Sequence, residues 1–290
     1  MLNVLKAILY GVVEGITEWL PISSTGHMIL LHEFIKLGIS EDFWDVFLVV
    51  IQLGAVMAVL VVFWQRLWPF GLKRNRKKRR SEITVKPAII GLWVLIIIAC
   101  LPAAVIGVLF DDVFDRLFYN GVCVALALIV FGLAFIAIEN RNKGMKPRIY
   151  YLEEIDLRTA LFIGGCQLLA AIFPGTSRSG ATILGALFLG VERSVATEFS
   201  FFLSVPVMFG ASLLKIIKYI AGDSQLTGAE VSLLAVGMIV AFAVSLLVIR
   251  FFLSYIRKHD FRVFGWYRIA LGLLMLLIFG IRGIIAWINS

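Results

Sequence analysis

The sequence predicts an all-α, polytopic membrane protein: about six transmembrane helices plus two re-entrant helix–loop–helix hairpins, arranged as an inverted-topology repeat. Three observations carry that prediction. Hydrophobic residues make up 61% of the 290-residue chain and charged residues 16%, against roughly 45–50% and about 25% in soluble globular domains. Six stretches are long and apolar enough to cross a bilayer. Two further regions, at about 3–38 and 158–192, are apolar but broken, each by a proline followed by a Ser/Thr/Gly cluster. With a mean hydropathy of +0.97, disordered, secreted disulfide-rich and cytosolic classes are excluded, because a soluble fold of this size cannot hide so much apolar surface.

A helix needs about 20 apolar residues to span the hydrocarbon core. The stretches at roughly 43–64, 88–110, 118–138, 197–219, 231–253 and 263–286 meet that length. The two broken regions are interrupted by LPISSTGH at 20–27 and FPGTSRSG at 173–180. Proline followed by Ser and Gly halts a helix, and neither flank is comfortably long enough to span alone. Non-helical backbone at membrane depth survives only where it is buried in protein or lines a wet cavity. Each region therefore reads as a re-entrant hairpin.

The chain forms one integral membrane domain, with a first repeat over about 1–140 and a second over about 158–290. Aligning Pro21 with Pro174 sets Gly11 over Gly164, Glu14 over Gln167 and Ser24 over Ser177. Each copy is one broken region followed by three spans. Because three is odd, the second copy enters from the opposite face, and sites in such repeats lie where discontinuous helices meet near the midplane.

Lys and Arg total 27 against 19 Asp and Glu, a net charge of +8. The excess sits between apolar runs, which the positive-inside rule explains without nucleic acid. The segment Arg66–Lys86, containing KRNRKKRR, holds nine basic residues and one Glu; Glu139–Arg158 holds five basic residues and Arg250–Arg262 four. These three loops are expected in the cytoplasm, and the first is also suited to anionic lipid headgroups. The first broken region then opens and closes outside, the second inside. Cys100, Cys123 and Cys166 lie in apolar runs without metal-ligand spacing and read as small buried hydrophobes. The N-terminus is not expected to be a signal peptide, having a single Lys6, an apolar run interrupted by Glu14 and Glu18, and no small-residue cleavage site after it.

Ionisable residues inside apolar segments are costly and mark function. Here they are Glu14, Glu18 and His27 in the first broken region and Arg178 in the second. Glu14 and Glu18, four apart, share one helix face. Two such carboxylates persist by sharing a proton, binding a divalent cation or facing an Arg. Ser23, Ser24 and Thr25 offer hydroxyls and free amides at a helix start, a ready anion site. His27 follows Ser24 by three residues, so the two are expected to lie on one face as a nucleophile–base pair. Thr176, Ser177 and Ser179 mirror the first hydroxyl cluster, and Arg178 brings a fork of donors suited to phosphate. His32 and His259 carry no comparable signal.

The segment EGITEWLPISSTGH at 14–27, together with FPGTSRSG at 173–180, resembles the signature pair of the undecaprenyl-diphosphatase (bacitracin-resistance) family. The likeness extends to IQLGA at 51–55, TEFSFFLSVP at 197–206 and FGWYRIALG at 264–272. It implies an inner-membrane enzyme hydrolysing undecaprenyl diphosphate to undecaprenyl phosphate, which recycles the lipid carrier of peptidoglycan synthesis and confers bacitracin resistance. It places the family's acidic motif on Glu14 and Glu18, its Ser and His on Ser24 and His27, and its basic residue on Arg178. It also implies a divalent cation, Mg or Ca, on Glu14 and Glu18.

Motif and resemblance converge on phosphoryl transfer, with Glu18, Ser24, His27 and Arg178 catalytic. Ser23, Thr25, Thr176, Ser177, Arg178 and Ser179 would hold the phosphates. The nucleophile is Ser24, His27 or a water activated by Glu18 or His27. The expected partners are the lipid diphosphate, the bilayer and, as one option, a second copy in a homodimer, with no nucleic acid. The pocket is expected to open to the outer face. The rival reading is a secondary transporter or flippase for a lipid phosphate, which needs binding groups but no nucleophile beside a base.

Overall fold

A computed structural model describes residues 2–75, 80–222 and 226–288. The chain opens with two short helices, α1 (Leu2–Thr17) and α2 (Ser24–Phe34), then the long α3 (Glu41–Val62) and the single turn α4 (Trp64–Leu67). Strands β1 (Phe70–Asn75) and β2 (Arg80–Val85) precede α5 (Pro87–Phe118) and α6 (Gly121–Asn142). The second half repeats the order: short α7 (Leu157–Ile172) and α8 (Arg178–Phe188), then long α9 (Arg193–Ala221), α10 (Gly228–Ile256) and α11 (Arg262–Ile288).

Polar residues at the starts of the helices satisfy amides that have no intrahelical partner. Ser40 accepts from the Phe43 amide, Asn120 from Cys123 and Asp156 from Thr159. Thr227 and Glu230 form a reciprocal capping box at α10. Within the described residues six helices are long and apolar enough to cross a membrane: Glu41–Val62, Pro87–Phe110, Gly121–Asn142, Arg193–Ala221, Gly228–Ile256 and Arg262–Ile281. Each predicted span falls on one of them. The protein is a multi-pass, mostly helical membrane protein.

The broken regions behave differently. Both α1 and α7 have 16 residues, about 24 Å at 1.5 Å per residue, short of the roughly 30 Å hydrocarbon core. Both α2 and α8 have 11. The all-α expectation needs one addition. The basic loop contains an antiparallel hairpin pairing Phe70 with Val85 and Asn75 with Arg80. Residues 76–79, the centre of KRNRKKRR, lie outside the described residues.

Packing crosses between the halves. Helix α1 lies against α10 and α7 against α5; α3 packs on α10 and α5 on α9; α6 pairs with α11. These contacts are close because small residues line them, as in other helix pairs that lack a hydrophobic drive in lipid. A Cβ on Gly11 would stand 2.7 Å from the Gly237 carbonyl of α10, and one on Gly164 would run into the Ala99 carbonyl of α5. The core centres on Trp19 and the α9 run Phe199, Phe201 and Phe202, all fully buried. Trp19 meets Phe201 edge-on at 5.0 Å. On the outside Val105, Leu109, Val130, Ile239 and Leu247 are exposed, an apolar surface suited to lipid.

The adjacent glycines of α7 offer a direct test. Gly164→Ala should push α5 and α7 apart and destabilise by about 1–3 kcal/mol, the usual cost of overpacking. Gly165→Ala, which meets open space, should be neutral or slightly stabilising. Thermal unfolding of the two variants in detergent reads the difference.

Candidate active site

The two interruptions are built alike. Ser23 (φ 72°) and Ser177 (φ 69°) are the non-glycine residues with left-handed backbone among those described, a conformation costing about 1–2 kcal/mol for an L-residue. Each is then the cap of the helix that follows. The Ser23 hydroxyl accepts from the Gly26 amide at 3.3 Å and the Ser177 hydroxyl from the Gly180 amide at 3.2 Å. This pairing corrects the alignment of Ser24 with Ser177. The structural counterpart of Ser177 is Ser23, so Ser24 corresponds to Arg178 and Thr25 to Ser179. The second loop is one residue longer between proline and cap, and Gly175, at φ 94°, takes up the difference.

Both counterparts converge on one carboxylate at the end of α1. Glu18 Oε2 accepts from the Ser24 hydroxyl at 2.7 Å, and Oε1 accepts from Arg178 Nη2 at 2.9 Å. Ser179 donates to the Glu18 carbonyl at 3.3 Å, and Arg178 Nη1 donates to the Ser200 carbonyl at 3.0 Å. The side chains of Glu18 and Arg178 are 7% and 13% exposed. Removing either partner of an ion pair so buried leaves an uncompensated charge.

Around this pair lie buried polar atoms without a protein partner: Glu14 Oε1, Thr176 Oγ1, Arg178 Nε and both amide atoms of Gln167. Buried polar groups ordinarily find partners; these belong to residues 1% (Glu14), 0% (Thr176) and 3% (Gln167) exposed. Gln167 is the α7 counterpart of Glu14, so each short first helix brings such a group. Ser177 and Ser179 hydroxyls lie 3.1 Å apart. Thr25 is half-buried.

His27 is placed otherwise than expected. Its Nδ1 donates to the Ser23 carbonyl at 2.7 Å, which fixes the tautomer, and Nε2 accepts from the Tyr267 hydroxyl at 2.7 Å. The rings of His27 and Tyr267 lie nearly parallel, 5.6 Å apart. The Ser24 hydroxyl donates to Glu18 instead, so the expected Ser24–His27 pair is not formed. The imidazole folds back one turn onto the carbonyl at its own helix start.

Two residues of this centre were not singled out in the sequence. Tyr267 holds His27, and Arg268, completely buried, ties the loops together. Arg268 donates to the carbonyls of Pro21 (3.2 Å), Gly175 (2.9 Å) and Thr176 (2.8 Å). The signal was present, since Arg268 is an ionisable residue inside a predicted span, the criterion that picked out Glu14, Glu18, His27 and Arg178. Glu198 fits the same criterion, and it pairs with Arg66.

No group of three His, Cys, Asp or Glu positioned for a metal occurs among the described residues. A hard cation of the Mg type does not need one, as it is commonly held by one or two carboxylates with substrate phosphates completing the shell. Glu14, with an unpartnered buried oxygen, one turn before Glu18, fits that donor set.

Comparison with known proteins identifies the family. The chain is 56% identical to the undecaprenyl-diphosphatase of Desulfitobacterium hafniense over 285 residues, covering 98% of this chain and 99% of that protein. It is 54% identical to the undecaprenyl-diphosphatase of Acetivibrio thermocellus over 96% of this chain and 98% of that one. With that of Enterococcus faecalis the identity is 53%, over 94% and 96%. The family described as Bacitracin resistance protein BacA matches residues 7–274, a range containing both loops, Tyr267 and Arg268. The chain belongs to the bacitracin resistance protein BacA family.

Proposed function

We propose that this protein hydrolyses undecaprenyl diphosphate to undecaprenyl phosphate and inorganic phosphate, with the reaction centred on Glu18. The supporting observation is that Glu18 accepts a hydrogen bond from the Ser24 hydroxyl on one oxygen and from the Arg178 guanidinium on the other. A hydroxyl donating to a carboxylate is poised to lose its proton as it attacks. Arg178 orients that carboxylate and keeps Nε free for a phosphate oxygen. The hydroxyls of Thr176, Ser177 and Ser179, in the same loop and helix start, would bind the remaining phosphate oxygens.

In this reading Ser24 Oγ attacks the terminal phosphorus and its proton passes to Glu18. The bond from that phosphorus to the bridging oxygen breaks. Glu18 gives the proton to the departing lipid phosphate. Water then attacks the phosphoserine, Glu18 takes the water's proton and returns it to Ser24, and inorganic phosphate is released. Phosphoryl transfer asks the protein mainly for positioning and charge neutralisation. A divalent cation held by Glu14 and Glu18 would neutralise charge on the phosphates when bound. His27 supports the α2 start rather than serving as base. The membrane is the bacterial plasma membrane, with the pocket open to the outer face and the isoprenoid left in lipid. Phosphate release by protein in detergent, where no compartments exist, separates hydrolysis from lipid translocation.

Ser24→Ala and Glu18→Gln should each lower kcat by about 100-fold or more, comparable to losing one preorganised transition-state contact. Arg178→Lys should recover little, because a point charge does not reproduce the fork. His27→Gln and Tyr267→Phe should have small effects matching one another. Steady-state phosphate release measures all five; a His27 variant as inactive as Ser24→Ala would return the base role to His27.

Excess chelator should abolish turnover, and added Mg should restore it. Glu14→Gln should raise the metal concentration needed for half-maximal rate. Turnover that continues unchanged in chelator would remove the cation from this reading.

For sidedness, a cysteine replacing Thr25 in a background lacking Cys100, Cys123 and Cys166 should react with an impermeant thiol reagent added to spheroplasts. Labelling restricted to inverted vesicles would assign the opposite face.

A further inference from the structure

A polar pocket lies away from the Glu18 centre, where the end of α10 and the start of α11 meet the first residue of α9. It is an open pocket of about 280 Å³, lined by Arg193, Tyr255, Lys258, His259, Asp260 and Val263. Its wall is fixed from behind. Arg193 forks onto the buried Glu139, Nε donating at 2.9 Å and Nη2 pairing with the other oxygen. Glu139 also accepts from the Phe261 amide at 3.0 Å.

The charges facing the pocket do not cancel. Glu139 is matched by Arg193, and Asp260 by Arg262 Nε at 2.9 Å. Glu192 is occupied with the amides of Ser194 and Val195 at the start of α9. Lys258 forms no ion pair among the described residues. Arg193 keeps Nη1, since its Nε and Nη2 are the atoms used by Glu139. His259 donates Nδ1 to the Tyr255 carbonyl and stacks on the Tyr255 ring at 4.2 Å, which leaves Nε2 on the open side. An ammonium, one guanidinium nitrogen, a phenol and an imidazole edge thus surround a space larger than a phosphate group, an arrangement suited to a tetrahedral anion.

We propose that this pocket binds a phosphate group, as carried by an anionic phospholipid headgroup or by free phosphate. Its edge continues into apolar surface: Phe251, Val263 and Trp266 are exposed beside it, and Phe251 stacks on Tyr255. That surface suits acyl chains. The three basic segments of the chain, this one included, are the cytoplasmic loops by the positive-inside rule, the leaflet in which anionic lipids concentrate. The pocket shares no residue with the Glu18 centre, so the inference stands apart from the proposed reaction.

Calorimetric titration of the full chain in detergent tests it, with dioctanoyl phosphatidylglycerol, dioctanoyl phosphatidylcholine and inorganic phosphate as separate probes. Phosphatidylglycerol should bind, and Lys258→Ala should weaken it by about tenfold, the scale of one charge-assisted hydrogen bond. Tyr255→Phe should weaken it less, and both variants should release phosphate from undecaprenyl diphosphate at the wild-type rate. Binding of inorganic phosphate with the same dependence on Lys258 would assign the pocket to the free ion. Equal binding of phosphatidylglycerol and phosphatidylcholine, or no effect of Lys258→Ala on any probe, would overturn the proposal.

Discussion

The centre of this molecule depends on the guanidinium of Arg268. The chain is interrupted between α1 and α2 and between α7 and α8, and each interruption frees buried carbonyls that must find donors within the protein. Arg268 supplies donors to Pro21 of one loop and to Gly175 and Thr176 of the other. A longer contact reaches the Leu128 carbonyl at 3.5 Å, and the Phe131 ring lies 5.8 Å from the guanidinium carbon. Burying a cation is costly unless it is hydrogen-bonded throughout. The carbonyls that need donors and the cation that needs acceptors satisfy each other.

Arg268 can reach both loops because of where α11 lies. It runs along α6 at a glycine contact, where a Cβ on Gly132 would stand 2.7 Å from the Gly265 carbonyl. The neighbouring residue on α11, Tyr267, meets His27. With both loops held, the starts of α2 and α8 face one another across the end of α1. Ser24 and Arg178, the first residues after matched left-handed caps, then arrive at opposite oxygens of Glu18. The polar atoms of Glu14, Gln167, Thr176 and Arg178 that lack partners collect around the same point. A protein interior tolerates such a concentration where a polar ligand is to be received.

Reciprocal packing ties the two halves together around the site. Neither half closes a core of its own, because α1 rests on α10 and α7 on α5. The ion pairs near the helix ends follow the same rule. Arg66 of the first half meets Glu198 of the second, and Arg193 of the second meets Glu139 of the first. A shift of one half against the other therefore disturbs the packed glycine contacts, these ion pairs and the loop strut together.

Local chemistry was enough for much of this. Spans are set by the hydropathy of about 20 consecutive residues, so the six long helices were legible from composition along the chain. The two interruptions were legible because proline and glycine act on their own backbone, and the hydroxyls, Glu14, Glu18 and Arg178 stood out as polar groups in apolar surroundings. The short hairpin at 70–85 was not, its strands being brief and rich in charge. Other features depended on residues far apart in sequence. His27 reaches Tyr267 across 240 positions and Arg178 reaches Glu18 across 160. Sequence spacing put His27 beside Ser24, whereas packing against α11 turned the imidazole away and left Ser24 to Glu18. The one-residue offset between the loops was hidden as well, because proline is the conspicuous residue while the left-handed serine two or three places later sets the helix start. Sequence by itself determined where the helices run and break, since those choices are paid for locally. Tertiary structure decided which polar groups meet, since a buried charge takes whatever partner the packing of distant helices brings within hydrogen-bond reach.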